Sequence, residues 1–289
     1  MLPIAVALSV VIGISLGLLG GGGSILTLPI LRYVLHMEAH NAIALSLLVV
    51  GTTSAAAVVS HARAGRVRWR TGLIFGLAGM VGAFGAGRVA HFFPAAVLLG
   101  LFGVMMIITA VAMLRGRSPT VEASAPPREL PVAKVLGEGL VVGAITGLVG
   151  AGGGFLVVPA LVLLGGLPMD IAVGTSLLVI TMKSFAGFAG YLEHAVIDWG
   201  IAMYITAAAV VGSVLGGALA SRISPDKLRK GFAWFVVAMA FFILGQEAPR
   251  ALGFEPSMLL VLTGTVAGVG LVAGIAALVA RAGHRAHAA

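Results

Sequence analysis

The segment Gly17-Leu-Leu-Gly-Gly-Gly-Gly-Ser-Ile-Leu-Thr-Leu-Pro29 returns as Gly147-Leu-Val-Gly-Ala-Gly-Gly-Gly-Phe-Leu-Val-Val-Pro159, 130 residues later (159 − 29). Both copies lie in apolar sequence. Adjacent glycines interrupt a helix, because each costs about 1 kcal/mol against alanine there. One such break in each half of an apolar chain points to a binding site near the middle of a bilayer. The rest of the chain fits that setting: 60% of its 289 residues are hydrophobic and 10% are charged. A soluble domain carries about 25% charged residues, so a polytopic, all-α membrane protein is expected. Its partner is then the lipid bilayer. The absence of cysteine rules out disulfides, thiolate metal sites and thiol relays. The formal charge of +8 sits in short loops beside apolar spans, as the positive-inside bias dictates, and does not indicate nucleic acid. The apolar run 2–19 lacks a basic leader and a cleavage motif, so no removable signal peptide is expected.

At the 130-residue offset, Ser46-Leu-Leu-Val49 meets Ser176-Leu-Leu-Val179, Trp69 meets Trp199, and Val81-Gly82 meets Val211-Gly212. The expected organisation is a first membrane repeat over 1–115, a cytoplasmic linker over 116–132, a second repeat over 133–250, and an extra span with a basic tail over 251–289. The linker is polar and proline-rich, with Pro119, Pro126 and Pro127. Charge orients the spans. Arg63, Arg66, Arg68 and Arg70 follow the span 39–60 and should be cytoplasmic, whereas Glu193 and Asp198 follow its counterpart 170–191 and should be external. Equivalent loops thus face opposite sides, which requires inverted repeats and an odd number of crossings in each. Spans at 39–60, 71–92 and 95–114 supply three. The glycine segment must then enter and leave on one face, as a hairpin of two helical pieces; a full span followed by a half-helix re-entry is the alternative. The piece 24–35 rises about 18 Å as helix, short of a hydrocarbon core of about 30 Å. The N-terminus is placed outside and the C-terminus inside.

A helix that begins at membrane depth presents backbone N–H groups without intrahelical partners, at the positive end of its dipole. Such an end suits an oxyanion. The candidate anion site therefore comprises Gly20, Gly21, Gly22, Gly23 and Ser24 in one copy, and Gly150, Ala151, Gly152, Gly153 and Gly154 in the other. Pro29 and Pro159 fall early in the half-helices, where a missing N–H is tolerated. The hydroxyls of Thr52, Thr53, Ser54, Thr175, Ser176 and Ser184 are candidate donors, against the alternative that each bonds its own helix. Lys183 lies well inside a span, where a charge by default marks a substrate path; its repeat partner is Thr53. Glu138 is the candidate for a coupling proton, against an interfacial role beside Lys134. Scattered glycines such as Gly82, Gly87, Gly212 and Gly217 read as close helix packing. His36, His40, His61 and His194 fall near span ends and read as solvated loop residues, against the alternative of a pH-sensing role. No enzyme constellation, metal cluster, cofactor motif or ATP-binding loop appears. Self-association into a homo-oligomer is left open.

The twin Gly-x-x-Gly-x-Gly-Gly-x-x-x-x-x-Pro motifs, each opening a half and followed by a span of small residues, resemble the TauE/SafE family of sulfite and organosulfonate exporters. The resemblance runs from Ile12 to about Leu244. It implies a bacterial inner-membrane permease for small sulfur oxyanions or sulfonates such as sulfite or sulfoacetate. It also implies that Gly20, Gly22, Gly23, Pro29, Gly150, Gly152, Gly153 and Pro159 lie close to substrate. The rival readings are an anion channel using the same site and a non-transporting membrane scaffold.

Overall fold

The computed structural model describes residues 2–19, 24–115, 132–149, 154–164, 166–220, 225–251 and 260–270, with Gly253 and Ser257. The linker 116–131, both glycine clusters and the basic tail lie outside them. The described elements are all helices, with no sheet among the described residues. In the first half the helices are α1 (Leu2–Leu19), α2 (Ser24–Pro29), α3 (Ala39–Arg63), α4 (Trp69–Val89) and α5 (Ala95–Arg115). In the second they are α6 (Val132–Val149), α7 (Gly154–Pro159), α8 (Met169–Tyr191), α9 (Trp199–Ala220) and α10 (Pro225–Ala251). A further helix, α11 (Leu260–Gly270), follows. Four helices, Ala39–Arg63, Trp69–Phe92, Met169–Tyr191 and Trp199–Leu219, are long and apolar enough to cross a membrane.

Local chemistry explains the two short helices. Pro29 and Pro159 each end an α-helical stretch, and a π-helical turn follows, Ile30–Val34 in one copy and Ala160–Leu164 in the other. Proline has no N–H to donate, and its ring crowds the carbonyl four residues back, so the helix widens there. The same bonds close both turns: Met37 N–H donates to the Leu31 carbonyl at 3.2 Å, and Leu167 N–H to the Leu161 carbonyl at 3.0 Å. The chain then reverses through a left-handed residue, His36 (φ 53°) in one copy and Gly166 (φ 60°) in the other. Only glycine adopts that conformation without a Cβ clash, which costs roughly 1–2 kcal/mol otherwise. Gly166→Ala is accordingly expected to lose about 1 kcal/mol, and His36→Gly to gain somewhat less because glycine is freer when unfolded. Detergent-solubilised melting curves of the two variants measure this.

The long helices pack through glycine. A β-carbon on Gly143 of α6 would lie 2.6 Å from the Gly79 Cα of α4, and one on Gly147 would lie 2.6 Å from the Ala83 Cα. On α1, a β-carbon on Gly13 would lie 2.8 Å from the Ser213 amide nitrogen of α9, and one on Gly17 2.7 Å from that of Gly217. Backbone thus meets backbone, as small residues allow between membrane helices. The sequence expectation for Gly82 and Gly212 holds, since an added β-carbon would collide with Leu140 and Val10.

Contacts follow a swap pattern: α1 lies on α9 and α6 on α4, α3 lies on α9 and α8 on α4, while α3 meets α8 and α5 meets α10. Directions can be read from the residues that touch. Gly51 faces Ser184 and Phe185 while Gly187 faces Leu47, so α3 and α8 run antiparallel. Gly72 faces Leu178 and Gly87 faces Tyr191, so α4 and α8 run parallel.

Connecting segments sort to the two ends of this bundle. The Arg66 backbone abuts Gly174 near the start of α8, and Arg68 N–H donates to Thr175 Oγ1 at 3.0 Å. At the far end Arg88 forms an ion pair with Glu193, and Val196 N–H donates to Asn41 Oδ1 at 2.9 Å. Glu38 caps α3 by accepting from Asn41 N–H at 3.1 Å. Burial works against the charge of Glu38, but hydrogen bonds from the backbones of His40 and Asn41 and from the His40 ring hold its carboxyl below the usual carboxylate range.

Candidate functional site

The two half-helices touch each other. α2 contacts α7, while α2 also packs on α3 and α7 on α8. Leu28 and Leu31 are buried in a core with Phe102 and Met106 of α5 and Val236 and Val237 of α10. Val157, Val158 and Leu161 are buried with Phe75 and Val135. Gly20, Gly21, Gly22 and Gly23, like Gly150, Ala151, Gly152 and Gly153, lie outside the described residues, and so does the bend expected there. Ser24, which opens α2, is fully buried.

Lys183 of α8 is the most unusual buried side chain among the candidates. It is 1% exposed, about 21 Å along α8 from its start and about 12 Å from its end. Its stem lies beside Gly79, where a β-carbon would sit 3.7 Å from the lysine Cβ, at ordinary van der Waals distance. The Nζ donates to Thr146 Oγ1 at 3.2 Å, and Thr146 in turn donates to the Gly143 carbonyl at 3.2 Å. An ammonium carries three donors, and among the described residues Thr146 meets one. Sequence reading found Lys183 from its position alone but missed Thr146, because α6 has no polar pattern to mark it.

The hydroxyls divide into three groups. Thr52 and Thr53 donate to Leu48 and Val49 carbonyls at 2.9 and 2.7 Å, and Ser176 donates to Val173 at 2.8 Å. These bond their own helix and in this conformation have no proton to offer an anion. Thr175 instead holds the loop amide of Arg68. By contrast Ser54 and Ser184, which occupy equivalent positions 130 residues apart, are both fully buried with no partner for Oγ among the described residues. Ser46 and Thr27 share that condition. A buried hydroxyl left unpaired costs about 1–3 kcal/mol, so such a set marks a place where water or a ligand completes the bonding.

Glu138 is half-buried on α6 and makes an interaction of its own. The structure adds a carboxylate that sequence reading overlooked. Glu247 of α10, 4% exposed, accepts from Tyr33 at 2.8 Å and from Arg250 at 3.1 Å. Tyr33 and Glu247 are 214 residues apart, so no local pattern could pair them. His61 is a correction. Read from sequence as a solvated loop residue, it is 4% exposed, because the close approach of α1 and α9 roofs over the end of α3.

Comparison with known proteins supplies the remaining context. The family model described as "Sulfite exporter TauE/SafE" matches residues 5–243. A "Probable membrane transporter protein" of Xylella fastidiosa (strain 9a5c) is 37% identical over 237 residues, covering 81% of this chain and 91% of that protein. "Probable membrane transporter protein MJ0441" of Methanocaldococcus jannaschii is 28% identical over 259 residues, covering 84% and 96%. "Probable membrane transporter protein YdhB" of Bacillus subtilis is 25% identical over 236 residues, covering 81% and 96%. No solved structure matches the chain.

Proposed function

Because the chain belongs to the sulfite exporter TauE/SafE family of membrane transporters, we propose that it carries small sulfur oxyanions, sulfite or organosulfonates such as sulfoacetate, without ATP hydrolysis. The observation that carries this reading is Lys183: a lysine deep in an apolar span, held by one hydroxyl and close in sequence to the orphan Ser184. A charge so placed is expensive unless a counter-charge visits it. The anion would lie between the first turns of α2 and α7, where the helix dipoles favour negative charge, with Lys183, Ser54 and Ser184 completing its shell.

The proposed architecture is a pair of inverted repeats, each a glycine-broken hairpin and three spans, with α11 as the start of the extra span. Two observations support it: α3 and α8 run antiparallel, and the main helix pairs map onto one another when the halves are exchanged, α1–α9 onto α6–α4 and α3–α9 onto α8–α4. Rocking one half against the other would open the site to each side in turn. In a bacterial inner membrane the arginine-rich loop after α3 would face the cytoplasm, leaving the N-terminus outside and the C-terminus inside.

Reconstitution into liposomes tests the substrate class. Saturable efflux of sulfite or sulfoacetate is expected, and flux equal to that of empty vesicles for every sulfur oxyanion tried would reject it.

A further inference from the structure

The loop between α3 and α4 and its flanks carry Arg63, Arg66, Arg68 and Arg70, four guanidiniums within eight residues. Its backbone is fixed. Arg66 N–H donates to the His61 carbonyl at 2.9 Å, Arg68 N–H donates to Thr175 Oγ1 at 3.0 Å, and Val67 between them is buried. Arg63, Arg68 and Arg70 are nevertheless exposed. The helices packed on α4 start at the same end, α6 with Lys134 and Glu138 and α8 with Asp170. Three positive charges are therefore in excess there (5 − 2).

Below the arginines runs an apolar stripe. α4 turns Gly72 and Gly76 to α8 and leaves Trp69, Leu73 and Leu77, four residues apart, 51%, 44% and 57% exposed. An exposed indole at the end of a spanning helix sits at the level of lipid headgroups, and the leucines beyond it lie where an acyl chain runs. The other half supplies the comparison. Trp199 and Met203 of α9 occupy the positions equivalent to Trp69 and Leu73 and are 55% and 72% exposed. The loop before α9, residues 192–198, has no arginine or lysine. Its Glu193 pairs with Arg88, and its Asp198 accepts from Ile201 N–H at 3.1 Å. One stripe is thus headed by cations and its equivalent by carboxylates.

We propose that the α3–α4 loop and the α4 stripe bind one anionic phospholipid. The Arg63 and Arg68 guanidiniums hold its phosphodiester, whose oxygens their planar fork matches, and an acyl chain lies along Leu73 and Leu77. Excess positive charge favours a headgroup with net negative charge over a zwitterionic one, whose own cation the arginines repel. Through the bond from Arg68 to Thr175, the lipid braces the start of the helix that carries Lys183. The site stands apart from the anion path and does not depend on what is transported.

Native mass spectrometry of the full chain in detergent, titrated separately with phosphatidylglycerol and phosphatidylcholine of equal chain length, tests the site. Phosphatidylglycerol is expected to be retained at about ten-fold lower concentration. Arg63→Gln combined with Arg68→Gln should erase that preference without lowering the melting temperature, since both side chains are exposed. Trp69→Ala should weaken phosphatidylglycerol retention about three-fold or more, and the equivalent Trp199→Ala should leave it unchanged, which keeps the test decisive if the double variant fails to fold. Glycerol phosphate, a headgroup without chains, should not displace the lipid. Equal retention of the two lipids by the parent, a preference that survives the double variant, or equal losses from the two tryptophan variants would overturn the site. Displacement by glycerol phosphate at lipid-like concentrations would make it a site for free phosphate and overturn the lipid assignment.

Discussion

Replacing Lys183 by methionine is expected to separate transport from stability. Methionine has nearly the length and volume of the lysine stem that lies beside Gly79, so packing is preserved. The substitution removes a buried polar head with only one described partner, Thr146 at 3.2 Å. Melting temperature should therefore hold or rise, since a buried charge without full compensation is a net cost. Transport should fall about ten- to hundred-fold, the equivalent of the 1.5–3 kcal/mol that one charge-assisted hydrogen bond contributes. Flux of sulfite or sulfoacetate into liposomes, measured beside detergent melting curves, gives both numbers. Wild-type flux in the variant would remove Lys183 from the substrate path. Loss of flux together with loss of folding would make the lysine a structural strut between α8 and α6.

Gly143→Leu is expected to abolish the fold. Its β-carbon would lie 2.6 Å from the Gly79 Cα, a backbone atom with no rotamer to escape into. α4 and α6 would have to part, and with them the hydroxyl that holds Lys183, because Thr146 stands on the same helix one turn away. Overpacking typically costs 1–3 kcal/mol; against rigid backbone the loss here should be at least about 3 kcal/mol. Gly137→Leu, on the same helix, is the control. Nothing lies within 4 Å of its β-carbon position, so that variant should run as a single peak of wild-type yield in size exclusion. A monodisperse, wild-type-like Gly143→Leu would show that the α4–α6 contact is looser than described.

Much of the fold was legible in the chain. The expected span 39–60 became Ala39–Arg63, 170–191 became Met169–Tyr191, and the short piece 24–35 became Ser24–Pro29 with its π-helical turn to Val34. Those readings rest on apolar run length and on proline, which act locally. Both glycine clusters lie outside the described residues. Within the candidate site, sequence placed Lys183 well inside its span, but it could not sort the hydroxyls. Thr53 and Ser54 are neighbours of the same polarity; one bonds its own helix and the other is left bare.

Sequence by itself determined that this chain is a membrane-embedded helical protein, because hydropathy, glycine breaks and proline positions are properties of short segments. Only the tertiary structure decided which polar groups lack partners, that Thr146 meets Lys183, that Tyr33 reaches Glu247, and that His61 is buried while His194 is not. A hydrogen-bond partner is set by which helices approach and at what height. That depends on contacts between residues as far apart as Gly13 and Ser213, and no local pattern encodes it.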